Sequence, residues 1–130
     1  MKKFPIFSIG MVAGLLLILT GCQQTAAPVS GGQTADIKTG PQAVTITKSG
    51  FQPGILTTKA GTKVIFQNTD EDPHWPASDP HPIHSITPGF DAKHGLAKGE
   101  TYEFTFTEVK SYPFHDHLNP ALRGSINIIE

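Results

Sequence analysis

Tyr112-Pro113-Phe114-His115-Asp116-His117-Leu118-Asn119-Pro120-Ala121-Leu122-Arg123-Gly124 sets two histidines and a carboxylate in three consecutive residues. A β-type segment leads into this stretch. Another leads out, opening at Gly124, with Ile126 and Ile128 on one face. Side chains in a strand alternate between faces. In an extended chain His115 and His117 therefore share one face, and Asp116 shares the other with Tyr112 and Phe114. That second face, being apolar, is expected to point inward.

Upstream, the same period-two pattern recurs in short pieces. Val44 and Ile46 alternate with Thr45 and Thr47, and Ser49-Gly50 breaks the run. Residues 55–59 are a second candidate strand, Ala60-Gly61 a turn, and Val64 and Phe66 share a face of a third. Tyr102, Phe104 and Phe106 alternate with Glu103, Thr105 and Thr107. No helical periodicity of useful length and no internal repeat is present. Six to eight short strands between turn signals predict an all-β fold, a two-sheet β-sandwich. Phe51, Phe66, Phe104, Phe106, Tyr112 and Phe114 are expected to supply much of the core. Residues 68–99, rich in Pro, Asp and His, read as one long loop, and a loop of that length is commonly functional.

The chain of 130 residues is long enough for one domain. Residues 1–21 read as a secretory signal: Lys2 and Lys3, an apolar run from Ile9 to Leu19, then Thr20 and Gly21. Leu19-Thr20-Gly21-Cys22 resembles a bacterial lipobox, with Cys22 the lipidated residue. Residues 22–40 are small and polar, too poor in apolar groups to fold. They read as a flexible tether averaging about 25 Å between its ends. Residues 41–130 form the expected domain. The expected location is extracytoplasmic, on a membrane through the lipid anchor, as a monomer.

Cys22 is the only cysteine, so the expected domain has neither a disulfide nor a thiolate ligand. With Lys2 and Lys3 removed from the ten basic residues, residues 23–130 carry eight basic against eleven acidic groups, a formal charge of −3. A surface of that balance lacks the basic patch that a phosphate backbone requires, which argues against nucleic acid as a partner.

Several stretches together resemble a cupredoxin of the plastocyanin/amicyanin type. They are Gly50-Phe51-Gln52-Pro53, residues 60–68 followed by Asp70 and His74, Pro88-Gly89-Phe90-Asp91, residues 98–106, and the stretch 112–124. The resemblance implies a Greek-key β-sandwich with a copper site at one end. His74 matches the family's first ligand histidine. On the late loop, the family's cysteine falls on Asp116, its second histidine on Asn119 and its methionine on Leu122. Three of four blue-copper ligands are thus replaced, and a His₂Cys site with a weak axial ligand cannot be built from these residues.

Histidines have accumulated beside that loss: His74, His81, His84, His94, His115 and His117. Imidazole suits copper, zinc, nickel and iron. The candidate metal ligands, in order, are His74, His117, His115, His84, His81 and Asp116, with His94 the weakest. Three arrangements stay open. His115, Asp116 and His117 bind one ion if the strand ends early; His115 and His117 meet the His81–His84 segment on the outer face; or Asp116 orients a liganding imidazole. Trp75 reads as a cover over the site or as core packing. The expected function is metal binding, Cu(II) first and zinc as competitor, for metal handling or non-blue redox chemistry. Plastocyanin-like electron transfer and a metal-free binding or envelope module are the alternatives. No nucleophile–base pair or phosphate loop points to an enzymatic reaction.

Overall fold

A computed structural model describes residues 40–130. The expectations for the signal, Cys22 and the tether up to residue 39 lie outside the described residues. Eight strands follow in order: β1 (Gln42–Thr47), β2 (Gly50–Gln52), β3 (Ile55–Lys59), β4 (Thr62–Asn68), β5 (Pro76–Ser78), β6 (Thr101–Phe106), β7 (Ser111–Asp116) and β8 (Asn119–Ile129). They form two four-stranded sheets, β2-β1-β4-β6 and β3-β8-β7-β5. The pairings β1–β4 and β3–β8 are parallel and the rest antiparallel. The expected all-β sandwich is the observed fold. Among the described residues no helix is long and apolar enough to cross a membrane.

The core follows the period-two reading. Val44 and Ile46 of β1, Val64 and Phe66 of β4, Phe106 of β6, Tyr112 and Phe114 of β7, and Ile126 and Ile128 of β8 are buried between the sheets. Two aromatic residues depart from expectation. Phe104 is only partly buried. Phe90, from the long 68–99 segment, is wholly buried, with its ring centroid 5.3 Å from Phe66 and from Phe106 and 5.7 Å from Phe114. A Phe side chain removed from water contributes about 1.5–3 kcal/mol. No periodicity marks Phe90, because Pro88, Gly89 and Asp91 surround it. Gly124 is fixed by close approach: a Cβ there would meet Phe114 Cζ at 2.4 Å and Gly54 O at 2.9 Å.

Two expected loops are more ordered than the sequence suggests. The 68–99 segment contains β5, which pairs with β7, and isolated bridges join His74 to Leu96 and Ala77 to Asp91. The buried Asn68 amide closes it from within by donating to Asp72 O (2.8 Å) and Leu96 O (2.9 Å). The late stretch is a hairpin rather than a ligand loop. β7 runs to Asp116 and β8 begins at Asn119, not at Gly124, leaving His117 and Leu118 as the turn. Asp116 Oδ1 accepts a bond from Leu118 N–H at 3.1 Å, an Asx-type closure that makes so short a turn possible.

Candidate metal centre

β7 continues extended through His115 and Asp116, so the two side chains leave opposite faces, although the register slips between them. The first of the three open arrangements needed the strand to end early, and it does not. The candidate ligands separate into two groups.

The first group holds His74 and Asp116. His74 Nδ1 lies 2.7 Å from Asp116 Oδ2, and His74 Nε2 lies 3.2 Å from Asp70 Oδ2. A carboxylate can only accept, so both ring nitrogens of His74 donate, which requires the imidazolium. Burial opposes that charge, but the bonds to Asp116 and then Asp70 outweigh it, and the His74 pKa is raised. Asp70 is lowered, chiefly by its bond to His74. Asp116 is fully buried and also accepts from Trp75 N–H at 2.8 Å. A cavity of about 300 Å³ beside this group is lined by Lys48, Asp70, His74, Asp116, Asn119 and Leu122 among others. Both nitrogens of the ring ranked first from sequence are thus engaged by carboxylates. Asp116 does orient an imidazole, as the third arrangement has it, but that imidazole is a cation.

The second group gathers His81, His84, His115 and His117, the outer-face arrangement. Hairpin β7–β8 carries His115 and His117. The turn segment after β5 carries the other two, folded by bonds from Ile83 N–H and His84 N–H to Pro80 O and from Ile86 N–H to Asp79 O, each 2.9 Å. His84 has φ 56°, a left-handed conformation that costs a non-glycine residue of order 1 kcal/mol. Ring centroids of His81 lie 5.3 Å from His115 and 4.7 Å from His117; those of His84 lie 5.3 and 4.8 Å from the same two. One nitrogen each from His81, His115 and His117 lie within 4.8 Å of one another. His94 is exposed and joins neither group.

The tautomers follow from the partners. His115 Nδ1 donates to Asp79 Oδ1 at 2.7 Å, and Arg123 holds Asp79 Oδ2 at 2.9 Å. His115 is wholly buried, and burial pushes its pKa down, helped by the neighbouring His84 and His81 and opposed by Asp79. The ring is therefore neutral with its proton on Nδ1, leaving a bare lone pair on Nε2. That atom is buried and has no hydrogen-bond partner, and an orphaned buried polar atom costs about 1–3 kcal/mol. An ion at the group would satisfy it. The His117 pKa is lowered too, by burial first and then by His84 and His81. Trp75 covers this side, its ring centroid 4.4 Å from that of His117 and its Nε1–H donating to Asp91 Oδ1 at 2.7 Å.

These donors fit a borderline transition metal. Nitrogen ligands at about 2.0–2.1 Å are usual for zinc, and copper accepts the same imidazoles. The exposed His81 has the freedom to close the remaining distance. Three imidazoles without an oxygen ligand do not suit calcium or magnesium. Sequence reasoning missed Asp79 and Asp91, the carboxylates behind the histidines. Asp79 lies two residues before His81, and that proximity was the available signal; Asp91 is brought in only by the fold.

The cupredoxin-like domain profile matches residues 11–128, nearly the whole chain. The chain belongs to the cupredoxin-like domain family. No curated protein matches it. Among solved structures, a purple cupredoxin from Nitrosopumilus maritimus is 21% identical with a TM-score of 0.60, over 68% of this chain and 99% of that one. The Cu(I) form of an amicyanin mutant is 25% identical with a TM-score of 0.60, over 73% and 88%. The Cu-containing nitrite reductase of Thermus scotoductus SA-01 is 24% identical with a TM-score of 0.58 over 69% of this chain, which spans 22% of that enzyme. Within this cupredoxin-like domain the blue-copper positions are replaced, since Asp116 stands where the thiolate is expected and the described residues contain no cysteine.

Proposed function

We propose that this cupredoxin-like protein binds a transition metal, copper before zinc, through His81, His115 and His117. The role is metal handling or non-blue redox chemistry, on a lipid-anchored protein held outside the cytoplasm by Cys22. The observation that carries the reading is the orphaned Nε2 of the buried His115, whose ring centroid lies 5.3 Å from that of His81 and 6.3 Å from that of His117. Copper bound there would supply a Cu(II)/Cu(I) couple. The chain's own part is to present three imidazoles, that of His115 fixed from behind by Asp79 and that of His117 covered by Trp75.

Blue-copper electron transfer, the family's familiar role, needs a thiolate that this domain lacks. The test is metal analysis of the purified chain with optical and EPR spectra, for the wild type and for His115→Ala. The reading expects one tightly held Cu(II) with nitrogen couplings and no intense blue band, lost in the variant. Wild-type protein that retains no copper or zinc after dialysis, and is not stabilised by either, would instead favour a metal-free binding module. An intense blue band would restore the electron-transfer reading.

A further inference from the structure

Four histidines gather on the outer face, yet only three offer nitrogens that converge. His84 lies between a carboxylate and another histidine. Its Nδ1 is 2.9 Å from Asp91 Oδ2, and its Nε2 is 2.9 Å from His117 Nδ1. Asp91 is itself held from several sides. Trp75 Nε1–H and Lys93 N–H donate to Oδ1 at 2.7 and 2.9 Å, and Lys93 Nζ donates to Oδ2 at 2.9 Å. So held, Asp91 is an acceptor only, and the His84 proton must sit on Nδ1. With its proton on Nδ1, the His84 ring offers a lone pair at Nε2. The short approach of His117 Nδ1 is a hydrogen bond only if His117 carries its proton there. His117 Nε2 is left bare, the form a metal takes.

We infer that His84 is a positioning residue and not a ligand: the chain Asp91–His84–His117 sets the His117 tautomer so that Nε2 faces the metal. This rests on the metal-binding reading. It is the counterpart of the Asp79–His115 pair, with a second imidazole inserted between carboxylate and ligand. It also accounts for the left-handed backbone at His84, which places one ring against both Asp91 and His117.

The test begins on the metal-free full chain, at a pH above the ordinary histidine pKa. Nitrogen-15 NMR of the imidazoles reads each tautomer directly. His117 is expected as the Nδ1–H form in the wild type and in His84→Gln, whose side-chain oxygen also accepts. In His84→Ala it is expected to revert toward the Nε2–H form. Cu(II) affinity should fall about 10–100-fold in His84→Ala, the usual loss for a partner behind a ligand, and largely recover in His84→Gln. The number of nitrogens coupled to Cu(II) should be the same in all three proteins. A wild-type His117 in the Nε2–H form overturns the inference. So does loss of one coupled nitrogen in His84→Ala, which would make His84 a ligand. If the wild type binds no copper, the functional reading fails, and the His117 tautomer alone still decides whether the relay exists.

Discussion

His74 Nδ1 and Asp116 Oδ2 lie 2.7 Å apart, both buried, where the resemblance implies a metal bridging a histidine and a cysteine. The contact is an ion pair. A second carboxylate, Asp70, occupies the other nitrogen. The segment before β5 is tied there to the end of β7 through the His74 ring, and His115 leaves the opposite face of β7.

Asp116→Asn is expected to destabilise the metal-free domain by about 3–5 kcal/mol, the range for breaking a buried pair by removing one partner. The variant leaves His74 with only Asp70 and weakens the acceptor for Trp75 N–H and Leu118 N–H. Chemical denaturation of the apo-protein measures it. A change under 1 kcal/mol would mean that the pair is dispensable.

The stability of the metal-free domain should peak near the ordinary histidine pKa, about 6.5. His74 is raised in the folded state, so its contribution is complete below about 6.5 and is lost as pH rises through the raised value. His115 and His117 are lowered, so theirs is complete above about 6.5 and is lost as pH falls through the lowered values. Melting temperatures from pH 5 to 9 should trace both limbs, and His74→Gln should flatten only the alkaline one.

Copper should separate the two groups of histidines. With Cu(II) at a hundredfold over its Kd, mass action stabilises the fold by about 2.7 kcal/mol. In a domain of this size that raises Tm by roughly 10–20 °C. His81→Ala and His117→Ala should lose this shift, whereas His74→Gln should lower the starting Tm and keep the shift. Trp75 is the sole tryptophan and packs on His117, so its fluorescence should be quenched as copper binds. Unchanged emission at saturation would place the ion elsewhere.

Gly124→Ala should cost about 1–3 kcal/mol through overpacking, because the new methyl would meet the Phe114 ring and Gly54 O. The wild-type copper affinity per folded molecule should be retained. A neutral effect on unfolding would show that Phe114 has room to move.

Much of the fold was legible because strand side chains alternate and the alternation is written in Val44/Ile46, Val64/Phe66, Tyr112/Phe114 and Ile126/Ile128. The same rule placed Asp116 and His115 on opposite faces. Phe90 and the early start of β8 at Asn119 were not legible. Phe90 has no periodic neighbours, and the hairpin depends on an Asp116 side chain closing its own turn. The partners of His74 were not legible either, since its ring looks available until Asp70 and Asp116 are seen on both sides of it.

By itself, the sequence determined an all-β sandwich, the missing thiolate, and the presence of several imidazoles near one end. Only the tertiary structure decided which imidazoles keep a free lone pair. A histidine's ability to bind metal depends on where its proton sits, and that is set by the partner of its other nitrogen. Asp79, Asp91, Asp70 and Asp116 reach their histidines across separations of 4 to 42 residues. The bonds closed over 36 and 42 residues, Asp79 to His115 and Asp116 to His74, are a property of the packed sheets and leave no local pattern in the chain.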